Sequence, residues 1–187
     1  MNHFEKTLYN RIGEKMSILN RIKNVGSGVL GEIKNKFSAG EASSTFYVIS
    51  ALCLADGEFQ EEERRAVTTT LSQDNVLKPH RDKFEGIFSE VQGSIRSGEN
   101  TLAGLLRQKL EGRNDETIRS CVSKAINIVT QKNNTGVLTT GTGLDDSEKR
   151  ILFVILHATG KQFLISEMGI TLEQIKKIPC KFLPAYI

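Results

Sequence analysis

Ala51-Leu-Cys-Leu-Ala-Asp56-Gly57-Glu58-Phe59-Gln60-Glu61-Glu62-Glu63 is the stretch whose reading decides the fold. It reads as the end of an apolar helix, a tight acidic corner and the first turn of a second helix. Residues 45–55 bring Phe46, Ile49, Ala51, Leu52, Cys53 and Leu54 close together, which suits a buried helix. Gly57 takes a left-handed backbone at little cost and so stops that helix. Phe59 then stands just outside the next helix. Glu61, Glu62 and Glu63 fall in its first turn, where the helix macrodipole favours negative charge.

The pattern partly recurs at Gly141-Thr-Gly-Leu144-Asp145-Asp146-Ser147-Glu148-Lys149. Leu144 occupies the place of Phe59, and the spacing from Leu144 to Glu148 equals that from Phe59 to Glu63. Asp145 is an expected N-cap with Glu148 three residues on, a form close to a capping box. The chain therefore predicts a duplicated helix–acidic corner–helix unit.

Apolar periodicity extends this reading along the chain. Ile18, Ile22, Val25, Val29, Ile33 and Phe37 mark an amphipathic helix, weakened by Gly26, Gly28 and Gly31 by up to about 1 kcal/mol each. Ala66, Val67 and Leu71 face inward from a helix over 61–73, closed by Asp74-Asn75 and Pro79. Further helices are marked by Phe84, Ile87, Phe88, Val91 and Ile95, then by Leu102, Leu105, Leu106 and Leu110. Another is marked by Ile118, Val122, Ala125, Ile126 and Val129. Residues 151–156 are apolar all round and admit a buried strand. The acidic cap before them and Gly160 after them favour a helix from 146 to about 159. The Gly- and Thr-rich stretch 136–143 reads as a loop. It lacks the Gly-Lys-Ser/Thr ending of a phosphate loop.

Composition sets the bounds. A chain of 187 residues, 39% apolar and 25% charged, is an ordinary globule long enough to bury a core. A net charge of +3 does not call for nucleic acid. No apolar run reaches the length of a membrane span, and the start lacks the features of a signal peptide. Three scattered cysteines, Cys53, Cys121 and Cys180, fit reduced thiols and a cytoplasmic protein. Residues 1–40 hold seven Lys/Arg and three Glu, a balance of about +4, and residues 149–187 carry a similar excess. The helix at 18–37 could thus rest on an anionic membrane surface at the inner face, or pack its apolar stripe onto the domain. Nucleic acid rests on charge alone.

The corner carries a family resemblance. Asp56-Gly57-x-Phe59-x-x-x-Glu63 resembles the Asp-Gly-x-aliphatic/aromatic-x-x-x-Glu signature of the TerB-like tellurite-resistance family, which includes a domain of some bacterial co-chaperones. The resemblance spans roughly 17–179. It implies an all-α bundle of about seven to nine helices in two pseudo-repeats, each centred on an acidic corner that takes a divalent cation. It also implies a bacterial or phage-borne stress or defence accessory. Its partners would be other tellurite-resistance proteins, including membrane components. The implied organisation is an extension at 1–16, an amphipathic segment at 17–40, a helical domain at 41–179 and a tail at 180–187. The second corner departs from the signature: Gly141 and Thr142 stand where Asp56 and Gly57 stand in the first, after a polar insertion at 132–142.

The expected ligand set is Asp56, Glu58, Glu62 and Glu63, with Asp145, Asp146 and Glu148 forming a second site or sharing one ion. Calcium is the leading cation, with magnesium or zinc as alternatives, because a hard cation wants several oxygens within one turn. Asp56 and Glu63 lead the set, and Glu62 and Glu61 are weaker, because at least one of them should point to water. Without a metal, Asp56 ends a helix, the glutamates form a solvated first turn, and Asp145 and Glu148 are caps. The same carboxylates could serve as acid and base in hydrolysis, but no nucleophile or oxyanion hole accompanies them. His3, His80 and His157 lack zinc-like spacing, and His157 reads as a capping or buried structural residue. A non-enzymatic role is expected.

Overall fold

Residues 39–131 and 143–178 are described in the computed structural model. The expected extension at 1–16, nearly all of the 17–40 helix, the insertion at 132–142, the tail at 180–187 and Cys180 lie outside these residues. The fold is all-α. Helix α1 covers 39–53. It is followed by α2 (Glu61–Gln73), a 3-10 segment (Lys78–Lys83), α3 (Phe84–Ser97), α4 (Glu99–Leu110), α5 (Asp115–Gln131), α6 (Asp146–Ala158), α7 (Leu164–Glu167) and α8 (Leu172–Lys177).

Two helices form the centre. Every residue from Ser44 to Cys53 on α1 is buried, as is every residue from Arg150 to Leu156 on α6. A helix apolar around its whole circumference has no face to offer water, so it takes the middle of a bundle. The ambiguous run at 151–156 is therefore helical, and its lack of a polar face reflects its depth. Two devices start and stop it. Asp145 and Glu148 close the capping box expected of them. At the other end Gly160, at φ 70°, lets its own N–H reach the His157 carbonyl and the Lys161 N–H reach the Leu156 carbonyl. That is the Schellman arrangement, which satisfies carbonyls a helix end otherwise leaves bare.

The other helices are amphipathic and pack outside these two. Helix α4 packs on α6 and on α3, α2 packs on α5, and α7 and α8 close over α6. One contiguous apolar cluster runs through them, including Phe46, Ile49, Leu52, Leu102, Leu106, Ile118, Leu152 and Ile155. Helix α8 starts at another reciprocal cap: Thr171 N–H donates to Gln174 Oε1 at 2.8 Å, and Gln174 N–H donates to Thr171 Oγ1 at 3.2 Å. No helix of the described residues is long and apolar enough to cross a membrane.

Candidate functional site

The first acidic corner is built around Gln60, a residue the acidic signature passes over. Its backbone N–H donates to Glu63 Oε2 at 3.0 Å, and its side-chain Nε2 donates to Asp56 Oδ2 at 3.2 Å. The other oxygen of Asp56, Oδ1, accepts the Glu58 N–H at 3.0 Å. That bond bends the chain straight after α1, as short acidic side chains do in turns. Gly57 sits within this bend at φ 93°, the left-handed backbone its position required. Asp56 and Glu63 thus meet through one shared donor residue. A hint was available in the spacing: Gln60 lies four residues after Asp56 and three before Glu63, directly ahead of a glutamate run.

The remaining carboxylates point elsewhere. Glu58 and Glu62 are exposed. Glu61 lies along the surface of α2, 3.3 Å from Arg65 and 3.7 Å from Arg64. Glu63 alone turns inward and is 2% exposed. Phe59 is half-buried, with its ring 4.6 Å from that of Phe88 and the Arg64 guanidinium 4.8 Å from its centroid. Arg64 is the fourth residue of α2, so this contact takes the place of the apolar staple that fixes the entry of a chain into a helix. From Phe88 the rings continue to Phe84 at 5.7 Å and from Phe84 to Phe46 of α1 at 5.6 Å.

At the second corner Asp145 N–H donates to Glu148 Oε2 at 2.7 Å, and Glu148 N–H donates to Asp145 Oδ1 at 2.8 Å. Glu148 is 2% exposed, matching Glu63, and Leu144 is buried where Phe59 is half-buried. Asp145 and Asp146 are exposed, and Asp146 lies 3.4 Å from Lys149. Gly141 and Thr142 are outside the described residues. Among the described residues no three His, Cys, Asp or Glu side chains form a group able to hold a metal ion. Each corner therefore joins one inward glutamate to one outward aspartate, while Glu58, Glu61, Glu62 and Asp146 face solvent.

A second constellation joins residues that no local pattern connects. Tyr47 of α1 donates its hydroxyl to Glu90 of α3, and Lys109 of α4 lies 3.1 Å from the other Glu90 oxygen and over the Tyr47 ring. One carboxylate thereby ties three helices. Burial first, then the Glu90 carboxylate, pushes the Tyr47 hydroxyl up from its ordinary 10.0. The bond from Tyr47 holds Glu90 below its ordinary 4.5 against the opposing effect of burial, with Lys109 adding to it. The Lys109 ammonium is raised by its bonds to Tyr47 and Glu90. Burial likewise raises the Cys121 thiol, whose Sγ lies 3.2 Å from Thr45 Oγ1. A nucleophilic Tyr, Lys or Cys needs the opposite displacement, toward the deprotonated form at neutral pH. These groups hold helices together. His157 works within one helix end: its ring stacks on Phe153 of the same helix, and its Nδ1 lies 2.9 Å from Gln162 Nε2 in the segment that follows.

No family model matches the chain, and no curated protein or solved structure matches it.

Proposed function

We propose that this chain is a non-enzymatic accessory protein of the TerB-like kind that takes a divalent cation, calcium foremost, at its first acidic corner and acts by docking onto a partner protein. The observation that carries the reading is the Asp56–Gln60–Glu63 arrangement. The first and last carboxylates of the signature share one donor residue at an exposed bend, with Glu58 and Glu62 beside them in solvent. A cation at Asp56 would replace the weak Gln60 side-chain bond and draw on Glu58 or Glu62 for further oxygens. The second corner is the poorer site, because Asp145 and Glu148 already satisfy one another and Asp146 is beside Lys149.

The test is thermal melting with chelator and with calcium, alongside a calcium titration by calorimetry. A ligand at a hundred times its Kd stabilises the native state by about 2.7 kcal/mol. Wild type should melt higher with calcium, and Asp56→Asn should lose most of that rise. Asp145→Asn should keep it, since Asn also caps a helix. An unchanged melting temperature and no heat of binding in wild type would sink the cation reading.

A second reading is favoured by a specific observation: both oxygens of Asp56 already accept hydrogen bonds within the chain. Here the corners are purely structural, and the protein is a peripheral adaptor whose basic segment at 1–40 meets an anionic membrane or nucleic acid. Binding to anionic vesicles that falls steeply with salt, together with indifference to calcium, would select it.

A further inference from the structure

We draw no further inference here: the strongest candidate, the exposed Phe163 just ahead of α7, on the stretch 161–167 that the Lys161–Asp115 and Glu167–Arg119 ion pairs pin to α5, carries nothing because nothing in the structure shows what covers it.

Discussion

Helices α2 and α6 begin in the same way and end up in different surroundings. Each has a glutamate at its third position, 2% exposed, that accepts the N–H of the residue before the helix. Beyond that turn they part. Besides its glutamate, α2 buries only Ala66 and Val67, whereas α6 buries Arg150 through Leu156 and Ala158 as well. The device that starts a helix is thus independent of the depth at which the helix lies. Starting is a local matter of a few hydrogen bonds. Depth is decided by how much of the circumference is apolar. Judged by burial, the counterpart of α6 is α1, the helix before the first corner, so the helix that follows the corner is peripheral in one unit and central in the other.

The largest expected effect probes that contrast in depth. Ile155→Ala in α6 removes three carbons from a fully buried site and should cost about 2–5 kcal/mol in urea unfolding. Val67→Ala in α2 removes two and should cost about 2 kcal/mol. Equal losses would mean that α2 is as much a part of the core as α6.

Next come the two starts. Asp145→Ala removes an acceptor bonded to the Glu148 N–H and should cost about 1–2 kcal/mol. Gln60→Ala should cost about 0.5–1 kcal/mol, since its side-chain bond to Asp56 is an exposed one. A larger loss for Gln60→Ala would make the shared donor at the first corner the more important of the two. Gly57→Ala sharpens the same comparison. No atom lies within 4 Å of the added methyl, so only the backbone at φ +93° resists it, at about 1–2 kcal/mol. A neutral Gly57→Ala in thermal melting would show that the bend relaxes.

The smallest effect is one of pH and concerns the Tyr47–Glu90–Lys109 tie. Glu90 is held below its ordinary value, so its contribution is present above about pH 4.5 and is lost as pH falls through its lowered folded value. Tyr47 and Lys109 are raised, so theirs is present below about pH 10 and is lost as pH climbs through their folded values. Asp74 adds to the acid side. Burial pushes it up, but Lys124 and the N–H groups of Leu77 and Val76 outweigh burial and leave it lowered. Glu90→Gln should shrink both limbs of a stability-against-pH curve and leave the Asp74 share of the acid limb. A curve unchanged by Glu90→Gln would show that this partly exposed tie contributes nothing measurable, as with many surface pairs.

Much of this was legible in the sequence, and the reasons differ from residue to residue. Gly57 and Gly160 mark helix ends because only a glycine takes those backbones readily, and both have positive φ. The Asp145–Glu148 spacing gave the start of α6 because a capping box is complete within four residues. What distant parts of the chain do to one another was hidden. Asp74 and Lys124, 2.9 Å apart, are separated by fifty positions, and nothing local marks either as a partner. Tyr47, Glu90 and Lys109 come from three helices whose crossing fixes the contact. Within the acidic run, the sequence could not say that Glu63 alone turns inward, because that depends on α2 packing against α5. The short 3-10 segment after Asp74 has too few residues to show a period, and Pro79 marks only a closure there.

The ring sequence Phe59–Phe88–Phe84–Phe46 bears on how the molecule breathes. Its outer member belongs to the first corner, and its inner member is a fully buried residue of α1. A surface bend held only by its own hydrogen bonds would open alone, and its amides would exchange with solvent far faster than those of the core. Here the bend cannot lift without parting Phe59 from Phe88. The amide of Gln60, bonded to the inward Glu63, is therefore expected to share the slow opening of the central helices, making the first corner part of the protein's cooperative unit.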